Sequence, residues 1–198
     1  MYKLSIITAF LGSVGNRFIK YQGDRSLAEK FKVASEIKGL EGLELCYPGD
    51  FENLDELKSL LAQYNLGISA VNFRSRRTGA WLRGSFTSAM AHERQEVADD
   101  LKRVMDLAAE LGCHRITTCP LNDGSDYIFE MDYVKSLDYA AETFAPACSH
   151  LPETNICIEY KISEPRVRCM FGNAGETAAF CQFVGADNLG ATFDIGHS

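Results

Sequence analysis

An α/β fold built on a parallel sheet is predicted by three features of the 198-residue sequence. Apolar, β-rich runs alternate with amphipathic segments five times, and a sixth run closes the series, the pattern of right-handed βαβ units. The first run, Leu4 to Phe10, is apolar on both faces, as suits a strand covered on two sides. The last two runs each stop on a carboxylate, Glu159 and Asp194, a costly placement in a buried strand unless a cation or hydrogen bonds satisfy it.

After the first run comes a polar loop, and then Ser26 and Glu29 in capping-box spacing open a helix that turns Leu27, Phe31, Ala34 and Ile37 to one face. Gly39 and Gly42 end it. Gly42 to Tyr47 is the second strand, stopped by Pro48 and Gly49. Asn53 and Glu56 repeat the cap, Leu54, Leu57, Leu60, Leu61 and Tyr64 follow at helical spacing, and Gly67 closes the segment before a third strand, Ile68 to Phe73. The longest helix, His92 to Leu111, carries Val97, Leu101, Val104, Met105, Ala108 and Leu111 as one stripe. Strand four is Cys113 to Cys119. A helix over Asp132 to His150 places Val134, Leu137, Ala141, Phe144 and Cys148 on one face, with a kink expected at Pro146. Asn155 to Tyr160 is strand five, Asn173 and Glu176 open helix five, and Leu189 to Phe193 is strand six.

Two architectures accommodate this order. An open doubly wound sheet predicts a glycine-rich turn after strand one, and Gly12, Ser13, Val14 and Gly15 lack the G-x-G-x-x-G pattern. A (β/α)8 TIM barrel predicts chemistry at the C-terminal ends of strands, where Glu159 and Asp194 fall. A whole barrel usually needs about 250 residues. The expectation is therefore one barrel domain over residues 1–198, with six strands and five helices present and the C-terminal units missing.

The net charge of −7 opposes binding to phosphate backbones, so nucleic acid is not an expected partner. Apolar runs fall far short of the roughly 18 residues that span a bilayer, and the N-terminus lacks a small-residue cleavage site, so a cytoplasmic protein with no membrane partner is expected. The seven cysteines form no C-x-x-C pair and are read as reduced core thiols.

Glu159 and Asp194 would lie at the same end of adjacent parallel strands, close enough to share a divalent cation, and His197 follows Asp194 by three residues. Such a donor set suits Mn²⁺, Co²⁺ or Mg²⁺ better than a sulfur-rich zinc site. Lys161 points to the same side as Glu159 and could polarise a substrate oxygen. Taken singly, Glu159 could instead be a solvated strand end or an ion-pair partner of Lys161, and His197 could be exposed. Their convergence on one barrel mouth favours a site.

On these residues the chain resembles the xylose-isomerase-like barrel superfamily. The E-x-K-x-x-E-P-R pattern at Glu159, Lys161, Glu164, Pro165 and Arg166 is similar to the strand-five motif of xylose and L-rhamnose isomerases, and the D-x-x-H at Asp194 and His197 resembles the strand-six motif. The resemblance implies a metal-dependent isomerase that interconverts an aldose and a ketose by a 1,2-hydride shift. It implies Mn²⁺ as cofactor, with Co²⁺, Mg²⁺ or Zn²⁺ as alternatives, and a monosaccharide or sugar derivative as substrate. Glu159 would hold a structural cation, Asp194 would bridge two cations and His197 would bind the second. Lys161 would contact the carbonyl-side oxygen, with Glu164 and Arg166 beside the substrate. Related barrels commonly form homo-oligomers.

The sequence also departs from that family. Its remaining metal ligands lie on strands seven and eight, and its ring-opening histidine has no counterpart at Tyr47, Pro48, Gly49 and Asp50. The 198-residue chain alone is expected to bind Mn²⁺ weakly and to lack isomerase activity. A single-metal ketose 3-epimerase and a non-catalytic sugar-binding fragment are the alternatives; Asn72, Phe73, Arg74, Cys119 and Pro120 argue against the trinuclear zinc site of an apurinic endonuclease. The loop with Arg74, Arg76, Arg77, Trp81, Arg83 and Phe86 could grip an anionic group, Trp81 stacking on a sugar face. The simpler reading is a loop that is solvated or packs on a neighbouring subunit.

Overall fold

In the computed structural model, which describes residues 3–76, 79–164 and 167–197, six parallel strands form one sheet in chain order. They are β1 (Leu4–Ile7), β2 (Leu40–Tyr47), β3 (Gly67–Phe73), β4 (Arg115–Thr118), β5 (Asn155–Glu159) and β6 (Leu189–Thr192). Strictly sequential order rules out the doubly wound alternative, whose strand order reverses at a switch point. Each connection carries one helix: α1 (Leu27–Ser35), α2 (Leu54–Tyr64), α3 (Ala91–Glu110), α4 (Tyr133–His150) and α5 (Ala174–Val184). Neighbouring helices touch one another (α1 with α2, α3 with α4, α4 with α5), which places them along one face of the sheet as the outer layer of a barrel wall.

The caps operate as the spacing predicts. The Ser26 hydroxyl accepts from the Glu29 amide while the Ser26 amide donates to Glu29, and Asn53, Asp132 and Asn173 each accept from the amide three residues on. The helices cover two apolar cores. Phe31, Leu43, Leu45, Leu57 and Leu60 pack under α1 and α2, and a larger cluster with Phe73, Trp81, Phe86, Val104, Phe144, Ile156 and Ile158 lies under α3 to α5. Phe86 stacks on Phe144 at a centroid distance of 4.2 Å.

Several predicted details shift. The first strand ends at Ile7, because Thr8–Leu11 winds into a 3-10 turn, and Leu4 on this edge strand and Phe10 in the turn are both exposed. The polar loop after it contains a short antiparallel pair, Val14–Gly15 with Lys20–Gln22. Helix α1 stops at Ser35, leaving Ile37 beyond its end and exposed. Helix α4 runs through Pro146 as one helix, and its buried face is centred on Ala140, Phe144 and Ala147, with Val134 in solvent. The stripe shifts because α4 packs between α3 and α5, and Thr143 turns inward to donate to the Phe86 carbonyl at 3.0 Å. All seven cysteines are free. No helix of the described residues is long and apolar enough to cross a membrane.

After β5 the chain leaves the wall. Ser163–Glu164 pairs antiparallel with Val167–Cys169, which pairs in turn with Gly124–Ser125. The approach is close enough that a Cβ on Gly124 would lie 2.0 Å from the Arg168 carbonyl oxygen, and its φ of +153° excludes ordinary side chains as well. This ribbon fixes the backbone on either side of the residues discussed next.

Candidate functional site

Period-two alternation along β2 to β5 sends Leu43, Leu45, Val71, Phe73, Ile116, Ile156 and Ile158 to the helices, and turns Glu44, Asn72, Thr117, Cys157 and Glu159 toward the opposite, barrel-interior face. That inner face is polar. Glu44 accepts from Thr117 Oγ1 at 2.6 Å and from Asn72 Nδ2 at 3.2 Å, and Asn72 also donates to Thr117 at 3.0 Å. Above this layer lies a cavity of about 550 Å³ walled by the C-terminal ends of all six strands, with Phe10, Glu44, Arg74, Cys119, Glu159 and Asp194 among its lining.

Glu159, Asp194 and His197 meet in this cavity, each offering one ligand atom within 4.8 Å of the others. His197 Nε2 is 3.5 Å from Asp194 Oδ2 and 4.0 Å from Glu159 Oε1. Register brings them together, since β5 and β6 pair with Thr192 opposite Glu159, so Asp194 emerges just beyond it. The following 3-10 turn, Ile195–His197, then swings the imidazole back. Asp194 Oδ1 accepts from the Gly196 amide at 2.6 Å, an Asx turn that leaves Oδ2 facing His197. Tyr160, fully buried, clamps the same point: its hydroxyl donates to the Asp194 carbonyl at 3.0 Å and accepts from the Asp194 amide at 3.1 Å.

The electrostatics of the trio suit a cation. Burial pushes the Glu159 carboxyl above its ordinary range, and the negative charge of Asp194 beside it raises it further, with His197 only partly offsetting both. Two carboxylates and one imidazole are hard oxygen and borderline nitrogen donors that fit a divalent ion, and an ion there would relieve the repulsion between the carboxylates.

Lys161 lines the same cavity, but its partner is Glu164 at 2.5 Å rather than Glu159. That hydrogen bond holds the ammonium above its ordinary pKa despite partial desolvation. The backbone amide of Lys161 is pinned to the Phe171 carbonyl at 2.9 Å, so the lysine is positioned by the ribbon as well as by its partner. Of the other residues predicted from sequence, Arg166 lies outside the described residues, as does Arg77. Trp81 is not at the cavity: it is 1% exposed within the larger core, where an apolar ring gains more from burial than from a solvated rim, and its Nε1 donates to Glu96 at 3.3 Å. Phe86 is likewise core. Arg74 and Arg76 do line the cavity.

Sequence reasoning did not single out Glu44 and Thr117, and named Asn72 only as an argument against a trinuclear zinc site. For Glu44 and Asn72 the signal is one polar residue between apolar neighbours, visible as Leu43-Glu44-Leu45 and Val71-Asn72-Phe73 once the strands are read as a barrel wall with a polar interior, whereas Thr117, followed by Thr118, carries no such pattern. Tyr160 closes the fifth predicted strand, and no local spacing points to its clamping of Asp194.

Fold and cavity together define a (β/α)-barrel protein with a candidate metal cluster at the C-terminal mouth of its strands. The chain belongs to the xylose isomerase-like TIM barrel family, whose model matches residues 31–198. Similar solved structures include an AP endonuclease, family 2, from Brucella melitensis (TM-score 0.73, 20% identity, covering 100% of this chain and 70% of that one). A D-psicose 3-epimerase with D-tagatose from Clostridium cellulolyticum H10 gives TM-score 0.69 at 14% identity, over 95% of this chain and 62% of its own. The IolI protein, solved with a zinc atom, gives 0.68 at 17% identity, over 99% and 64%. The chain thus spans 62–70% of the length of these three relatives.

Proposed function

We propose that this chain carries the metal-binding side of a sugar isomerase that interconverts an aldose and a ketose by a 1,2-hydride shift. The observation that supports it most is the meeting of the Glu159, Asp194 and His197 ligand atoms in one cavity with the Lys161 ammonium. A divalent ion, Mn²⁺ by the hardness of the donors, would be held by those three residues and supply Lewis-acid polarisation of neighbouring C–O groups of an open-chain sugar. Lys161, kept protonated by Glu164, donates a hydrogen bond to the carbonyl-side oxygen and does not serve as a base. Tyr160 and the Asx turn at Asp194 hold the carboxylate in place while substrate enters. Three side-chain ligands leave coordination positions open, and we assign full turnover to a protein that supplies further ligands, with weak Mn²⁺ binding by the 198-residue chain alone.

A ketose 3-epimerase is the second reading, favoured by Glu164 facing the same cavity as Glu159, so that two glutamates flank the space for substrate. Solvent deuterium separates the two. With Mn²⁺ and candidate sugars in D₂O, a hydride shift yields an aldose–ketose pair without deuterium on carbon, whereas proton exchange through an enediolate yields epimers deuterated at C3. Deuterium at C3 would replace the isomerase reading by the epimerase. Sugar binding with no turnover in any longer form of the protein would leave a non-catalytic binding barrel.

A further inference from the structure

The wall of the cavity contributed by β3 carries two arginines that the isomerase reading does not use. Arg74 and Arg76 both line it, yet among the described residues neither pairs with a carboxylate. The Arg74 Nη2 has only the Cys46 sulfur at 3.5 Å, and its Nε is buried with no hydrogen-bond partner at all. A buried guanidinium N–H without a partner is costly unless a ligand or its surroundings complete the hydrogen bond. The third cation of the cavity, Lys161, is already matched by Glu164, so Arg74 and Arg76 are the lysine or arginine cations of the cavity left without a carboxylate partner among the described residues. Cys119, at the end of β4, lies between the two poles: its thiol is pushed up by burial and by the charge of Glu159, and drawn down by Lys161 and Arg76.

We propose that Arg74 and Arg76 bind a terminal anionic group of the substrate, and that the substrate is an open-chain sugar derivative ending in a carboxylate or a phosphate. The inference rests on the sugar-isomerase reading of the Glu159 site for the rest of the ligand. Guanidinium forks match both anions with paired N–H donors, which neutral sugar hydroxyls neither require nor fully use. The spacing is also right. The end of β3 stands two inter-strand steps from the end of β5, about 10 Å across the wall. A hexose-length chain, with contacts at both ends, covers that span within the 550 Å³ cavity.

Three open-chain ligands that differ only at one end provide the test: D-glucitol, D-gluconate and D-glucitol 6-phosphate, each titrated calorimetrically into the full chain with saturating Mn²⁺. One of the two anions is expected to bind at least about tenfold more tightly than D-glucitol, the scale of a charge-assisted hydrogen-bond pair. Which anion it is decides between carboxylate and phosphate. Arg76→Met, on an exposed side chain, should remove much of that preference without unfolding the protein, Arg74→Met should remove the rest, and Arg74→Lys guards against a purely structural loss at Arg74. Equal affinity for all three ligands, failure of both anions to bind, or a preference that survives the Arg74→Met/Arg76→Met double variant would overturn the proposal. If the anion preference is arginine-dependent but D-glucitol binding ignores Mn²⁺, the isomerase reading fails while the anion site stands.

Discussion

Asp50 and Asp123, almost fully buried beyond the ends of β2 and β4, stand in surroundings opposite to those of Glu159 at the end of β5. Asp50 is closed in by the Thr8 hydroxyl, by the Cys46 amide at 2.7 Å and by Lys30 Nζ at 3.0 Å. Asp123 accepts from the amides of Ser85 (2.9 Å) and Thr87 (2.7 Å) and from both hydroxyls, and so ties the loop that follows β3 to the end of β4. Every donor that faces these two is supplied by the fold. Glu159 faces a second carboxylate instead. A buried carboxylate surrounded by donors organises the scaffold, and one set against another carboxylate in an open cavity marks a place where something positive belongs.

The largest effect expected from this contrast is at Asp123. Asp123→Ala strands two amides and two hydroxyls away from water and should cost about 4 kcal/mol of stability, read from the urea midpoint. A loss below about 1 kcal/mol would mean that these donors find water, and that burial does not separate scaffold from site.

A smaller change of opposite sign is expected at Glu159. Its carboxyl pKa is raised in the folded chain, so between its unfolded and folded values the native state holds the extra proton. Metal-free stability from this group is therefore full below its unfolded pKa and is lost as pH rises through the raised folded pKa. Glu159→Gln should remove that pH dependence and stabilise the metal-free chain at neutral pH by up to about 1 kcal/mol, as relief of unfavourable charge commonly does. Thermal melts across the acidic range check it; a variant less stable than the parent at neutral pH would show that Glu159 belongs with Asp50 and Asp123.

Much of the scaffold was legible because local signals agreed with tertiary demand. Ser26 with Glu29 caps α1, Asn53 caps α2, and the Val97-to-Ala108 stripe of α3 is buried as its spacing requires. The proximity of Glu159, Asp194 and His197 was legible too, since both carboxylates sit where an apolar run stops and His197 follows Asp194 by three residues. The interior network of Glu44, Asn72 and Thr117 was not, because a polar residue in a β-run reads as an ordinary outward position until the sheet is known to curve around it. Trp81 misled for the converse reason: four arginines nearby gave its loop a solvated look, while the ring itself folds into the core. The ribbon that positions Lys161 depends on long-range pairing with Gly124–Ser125, to which no local spacing points.

The pairing of Glu159 with Asp194 and His197 is tested most directly by calorimetric titration of Mn²⁺ into the chain and into its Glu159→Gln variant. Saturable binding by the parent, weakened more than about 100-fold in the variant, is the expected result, since loss of a direct ligand should exceed the 10–100-fold cost typical of a ligand's supporting partner. Unchanged Mn²⁺ affinity in the variant, or a parent that binds no Mn²⁺, would contradict the assignment of this cavity as a metal site.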